Sequence, residues 1–91
     1  MRLDQFLRAS RIVVRRTVAQ ELCEAGAVEV NGAPARSSRA VRVGDEIIVR
    51  RRERVVTARV VALPDSRNVS KSQAQDLYEI VKDERPSGDA L

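Results

Sequence analysis

The residues with the most chemistry to offer lie in the first twenty positions. Arg2, Arg8, Arg11, Arg15 and Arg16 stand there against a single carboxylate, Asp4. A guanidinium group presents a planar fork of donors that matches phosphate oxygens two at a time. Thr17 with Gln20 three residues later has the spacing of a capping box. With Thr17 as the cap, Arg15 and Arg16 lie just outside a helix start, where unpaired N–H groups and the positive dipole end already favour an anion. Like charges at that place repel one another and the dipole, a conflict that a bound anion relieves. The plain alternative is a solvated surface on two short helices, and the clustering at a helix start argues against it.

Two further sets are weaker. Arg36, Ser37, Ser38 and Arg39 combine hydroxyls and guanidinium groups in one loop, a composition suited to tracking a nucleic-acid backbone or simply to a polar loop. Arg50, Arg51, Arg52, Glu53 and Arg54 read as a charged hairpin end, whose simplest role is solvation.

Catalysis finds little support. The chain has no histidine, so the commonest general base is missing. Its one cysteine, Cys23, has no imidazole to activate it and sits at an apolar helical position, as a small core residue would. Glycine-rich phosphate loops, paired carboxylates and metal-ligand spacings are not seen, and the chain is read as a non-enzyme without cofactor or metal. Net charge is +4. It is uneven: residues 1–60 hold 13 basic and 7 acidic groups, residues 61–91 hold 4 and 6. Fifteen of the 17 basic residues are arginine, which suits phosphate contacts but also follows from an arginine-rich proteome, so position must decide. Apolar runs of three or four residues are too short for a membrane span, and a cytoplasmic monomer is expected.

The elements that must hold these groups follow from periodicity. Leu3, Phe6, Leu7 and Ser10 share one face of a helix from about Leu3 to Ala9, with Asp4, Gln5 and Arg8 pointing away and Asp4 paired with Arg8 at i,i+4. Residues 10–16 are ambiguous between a strand and a turn pinned to the core. The second helix buries Val18, Ala19, Leu22 and Cys23 and stops at Gly26. The period then becomes two: Val28 and Val30 lead into an Asn31-Gly32 hairpin turn. Pro34 marks an edge or loop, Val41 and Val43 alternate, and Gly44-Asp45 turns the chain ahead of Ile47 and Val49. Residues 55–63 form the expected longest strand, with Val56, Ala58, Val60 and Ala62 on its apolar face. Ser70 with Gln73 opens a last helix carrying Ala74, Leu77, Tyr78 and Val81 inward. This is an α+β domain: two N-terminal helices on a small, mostly antiparallel sheet, plus a C-terminal helix. The division expected is 1–63 as the binding unit, 64–84 as a loop and packed helix, and 85–91 as a flexible tail.

The stretch from Arg15 to Gly32, RRTVAQELCEAGAVEVNG, followed by Val43-Gly44-Asp45-Glu46-Ile47, resembles the S4 RNA-binding domain. The opening RLDQFLRASRIVVRRT and the ending SKSQAQDLYEIV resemble the branch that serves bacterial ribosome-associated quality control. The resemblance implies RNA along the helical face, with Arg2, Asp4, Arg8, Ser10, Arg11, Arg15, Arg16, Thr17, Gln20, Asn31, Arg36, Ser38 and Arg39 as site residues. It implies large-subunit rRNA and P-site peptidyl-tRNA as partners, and an RqcH-type factor that adds a C-terminal alanine tail. Gln5 and Val14 depart from the pattern, standing where the family often carries lysine. A heat-shock-type S4 protein that recycles obstructed large subunits is the nearest alternative. A DNA-binding helix-turn-helix fits poorly, because the second helix exposes Gln20, Glu21 and Glu24.

Overall fold

The computed structural model describes residues 1–66 and 68–85. Leu3, Phe6 and Leu7 are fully buried, and this single apolar stripe is why the first segment is helix α1, Leu3–Ala9. Its first N–H groups are met by a distant loop: Leu3 donates to the Arg39 carbonyl (2.8 Å) and Asp4 to that of Ser37 (3.1 Å). The ambiguous residues 10–15 are a turn. Arg11 takes a left-handed φ of 62°, and fully buried Val13 pins the turn to the core while Val14 stays 72% exposed.

Helix α2, Arg16–Glu24, starts two residues earlier than the expected capping box allows. Arg15 occupies the cap position in an extended conformation and offers no side-chain bond, and Thr17 is exposed. The box fails because the Gln20 amide is drawn inward to Asp4 instead, a charge-assisted bond that outcompetes a neutral one. The C-terminus behaves as read. Gly26 has φ 75°, and Ala27 and Gly26 donate back to Leu22 and Cys23 (2.9 and 3.0 Å), which satisfies the last carbonyls of the helix.

Strands β1 (Val28–Val30) and β2 (Ala33–Pro34) form a two-residue hairpin. Asn31 and Gly32 both have positive φ (52° and 89°), as a type I′ turn demands. Strands β3 (Glu46–Arg50) and β4 (Val55–Val60) make the second hairpin. Between the hairpins the expected Val41/Val43 alternation gives no strand. The chain there crosses the start of α1, with Val41 N–H on the Met1 carbonyl (2.9 Å). Val41 is therefore buried, and Val43 is 62% exposed.

The last third differs most from its reading. The second capping box is present: Ser70 Oγ accepts from Gln73 N–H (3.2 Å) and Gln73 Oε1 from Ser70 N–H (3.0 Å). The helix it opens, α3, is only Lys71–Gln75. Tyr78 and Val81 lie instead on β5, Tyr78–Glu84, which at seven residues is longer than β4. The apolar spacing at 77, 78 and 81 imitates a helix, but pairing along β4 satisfies the backbone of this segment. β4 also ends at Val60 rather than at 63, because Val61 and Ala62 turn to donate to the Leu77 carbonyl (2.8 and 3.2 Å). The sheet order is β2-β1-β3-β4-β5, antiparallel throughout, so β5 joins the sheet across the expected boundary at 63/64. Of the expected tail only Arg85 lies within the described residues.

The core sits between the helix pair and one sheet face. Leu3, Phe6 and Leu7 meet Val13, Val28, Val30, Ile47 and Val60, each nearly or fully inaccessible. A core of this kind sets the two helices rigidly on the sheet, which is what their outward arginines require.

Candidate nucleic-acid interface

Asp4 organises the site, and its position corrects the sequence reading. It does not point away to meet Arg8. Its side chain is fully buried in the seam between α1 and α2. Oδ1 accepts from Arg2 Nε (3.2 Å) and from the Gln5 N–H (2.9 Å). Oδ2 accepts from Gln20 Nε2 (2.9 Å) and Arg16 Nε (3.1 Å). Burial pushes the carboxyl up, but the bonds from Gln20, Arg16 and Arg2 outweigh it and hold the group below its ordinary value of 3.8. Asp4 is an internal counter-ion, partly relieving the charge conflict at the start of α2.

The arginines that share it are thereby oriented. Arg2 and Arg16 keep 45% and 41% of their side chains exposed: Arg16 turns its Nε to Asp4, Arg2 reaches it with Nε and, at 3.5 Å, with Nη2, and both keep further donors for a ligand. Arg8, Arg11 and Arg15 are exposed and have no carboxylate within ion-pair distance among the described residues. A cleft of about 150 Å³ opens between Met1, Gln5, Arg8 and Arg16. A larger groove, about 410 Å³, runs from Arg8 and Arg11 past Val14 to Asn68 and Ser70. Fixed cationic forks beside open grooves can hold phosphates without rearranging.

The loop at 36–39 belongs to the same surface. Its carbonyls cap α1, so exposed Arg36, Ser38 and Arg39 are carried to the Arg2 end of the helix. A groove lined by Arg36, Ser37 and Ser38 continues along Cys23 and Glu24 of α2. Asn31 acts differently from the others. Its Nδ2 donates to Asp45 Oδ1 and its Oδ1 accepts from Glu46 N–H (both 3.0 Å). The Asn-Gly and Gly-Asp motifs are thus two halves of one lock, and the polar atoms of Asn31 are used by the fold.

Three other expected site residues also face inward or lack the expected role. Ser10 is buried and donates its hydroxyl to the Leu7 carbonyl (3.1 Å), which excludes contact with a ligand outside. Gln20 is half-buried and spent on Asp4, and Thr17 is exposed but caps nothing. Cys23 is the core residue expected: burial and then the charge of Asp4 push its thiol up, away from the reactive thiolate. The departures Gln5 and Val14 both line open grooves, so the missing cations fall on the face itself. The inward role of Asp4 had one signal in the sequence: it is the lone carboxylate among five arginines, next to the apolar stripe.

These features define a small α+β module with an arginine face laid across a helix pair. Residues 1–47 match the family model described as the S4 domain. A Listeria monocytogenes protein named RQC P-site tRNA stabilizing factor is 44% identical over 85 residues, covering 93% of this chain and 90% of its own. The Bacillus subtilis protein of that name is 41% identical, covering 93% and 96%. A Heat shock protein 15 homolog from Haemophilus influenzae is 33% identical, covering 87% of this chain and 60% of its own. The trimeric structure of Vibrio cholerae Heat Shock Protein 15 superposes with a TM-score of 0.78 at 32% identity, covering 88% and 80%. The chain belongs to the S4 domain family, in the branch whose members carry the name RQC P-site tRNA stabilizing factor.

No helix among the described residues is long and apolar enough to cross a membrane.

Proposed function

We propose that the chain is a non-catalytic RNA-binding factor of ribosome-associated quality control. It binds rRNA and P-site peptidyl-tRNA on obstructed large ribosomal subunits in the cytoplasm. There it supports an RqcH-type factor in adding a C-terminal alanine tail to the stalled nascent chain. The observation that carries the reading is the arginine face of α1 and α2, where forks are oriented by a buried carboxylate and left open to an anion. The relatives' name, RQC P-site tRNA stabilizing factor, supports P-site tRNA as one of the RNAs bound. The contacting groups are Arg2, Arg8, Arg11, Arg15 and Arg16, extended by Arg36, Ser38 and Arg39.

The test is co-sedimentation with large subunits that still hold peptidyl-tRNA. Arg16→Glu is a poor probe, because it sets a second carboxylate against Asp4 and strains the fold. Arg15→Glu combined with Arg16→Gln keeps a donor for Asp4 while removing the outward charge. Loss of about 3 kcal/mol, roughly 100-fold in affinity, is expected with the fold intact. Unchanged binding by a folded variant overturns the reading. The heat-shock-type alternative is favoured by the Vibrio cholerae structure. It predicts binding to obstructed subunits with no effect of the chain on alanine tailing in a reconstituted reaction.

A further inference from the structure

The tip of the β3–β4 hairpin is a charged motif that the helical face leaves unexplained. Its two outer arginines are structural. Arg50 Nε meets Glu29 Oε2 (3.0 Å) on β1. Arg54 grips Asp83 on β5 with both Nε (2.9 Å) and Nη2 (2.5 Å). These pairs brace the root of the hairpin against its neighbours on either side. The turn is closed by Arg51 N–H on the Arg54 carbonyl (2.8 Å) and the reverse bond (3.3 Å), leaving Arg52 and Glu53 as a two-residue loop.

Arg51 and Arg52 are a different matter. Both are exposed, and neither has a carboxylate partner among the described residues, while nearby Glu84 lies against Lys82 (3.9 Å). The loop also breaks the usual turn chemistry. Two-residue hairpins favour Asn or Gly at positive φ, and here neither loop residue is of that kind or in that conformation. With neither φ positive, the turn makes no demand for Asn or Gly and leaves the tip free to carry charged side chains.

The position separates the tip from the helical face. Arg50 N–H donates to the Ala27 carbonyl (2.8 Å), just beyond the C-terminus of α2. Arg15 and Arg16 sit at the other end of that helix, whose nine residues span roughly 13 Å at about 1.5 Å each. The molecule therefore carries two open arginine groups at opposite ends of one rigid rod.

We propose that Arg51 and Arg52 form a second contact to an RNA phosphate backbone, separate from the one held by α1 and α2. The chain then bridges two RNA segments, and the braced hairpin sets their spacing. Without an aromatic residue at the tip, the contact is to phosphates rather than to stacked bases. This inference rests on the RNA-binding reading above, and the test separates the two.

The full chain and an Arg51→Gln, Arg52→Gln variant are titrated against obstructed large subunits at several salt concentrations. The variant is expected to keep its melting temperature and to lose about tenfold or more in affinity. Its slope of log affinity against log salt should be shallower by about 1.4 to 1.8, as for two lost phosphates. A photo-crosslinking side chain at position 52 should label RNA. An unchanged slope, or crosslinks only to protein, overturns the tip contact and leaves the helical reading standing. Failure of the unsubstituted chain to bind subunits overturns both.

Discussion

The helical face and the outer face of the sheet use the same residue for opposite ends. On the sheet, Arg59 lies between Glu46 (3.6 Å) and Glu79 (2.7 Å), and Arg50 is paired with Glu29. Each of these guanidinium groups has a carboxylate of its own, and all are solvated. In the first twenty residues five arginines stand against one carboxylate, which is buried and pairs with two of them, Arg2 and Arg16. The comparison teaches that arginine content does not locate a binding face. What separates the two faces is the unmet fraction of their guanidinium donors.

The comparison breaks most easily with salt. Five phosphates neutralised by the helical face give a slope near −3.5 to −4.5, so affinity for large subunits should fall roughly 100- to 500-fold between 50 and 200 mM salt. A flat salt response would place the arginines outside the interface. Asp4→Ala comes next. It strips a buried acceptor from Arg2, Arg16 and Gln20, whose side chains then reach water, and should cost about 2 kcal/mol of stability in a thermal melt. It should also weaken RNA binding, because Arg2 and Arg16 lose their orientation. Stability kept with binding lost would make Asp4 a positioning group alone.

The pH dependence carries a sign. The carboxyl of Asp4 is lower in the folded chain than in the unfolded one, so its contribution is fully present above 3.8 and is lost as pH falls through the lower folded value. The stability gap between the unsubstituted chain and Asp4→Asn should therefore close on acidification below 3.8 and stay constant near neutrality. A gap that persists in acid would mean that Asp4 acts through shape and not through charge. The smallest effect is expected from Arg59→Gln on the sheet, within about 0.5 kcal/mol in stability and without change in subunit binding. A loss of binding there would erase the distinction between the two faces.

What was legible in the sequence follows the range of the physics. Leu3, Phe6 and Leu7 mark α1 because helical neighbours lie three and four residues apart. Gly26, Asn31-Gly32 and the Ser70/Gln73 box are likewise decided within a few residues of themselves, and each appears where it was expected. Errors arise where a distant partner intervenes. Gln20 leaves its capping box for Asp4, sixteen residues away. Tyr78 and Val81 leave a helical spacing for β4, whose pairing satisfies a seven-residue backbone at once.

The sequence by itself therefore determined the arginine excess of the first twenty residues, the helix pair that carries it and the turns that frame it. Only the tertiary structure decided which of those arginines are free. That depends on where the carboxylates lie after folding, and a carboxylate such as Asp4 turns inward only when donors from two helices converge to replace its water.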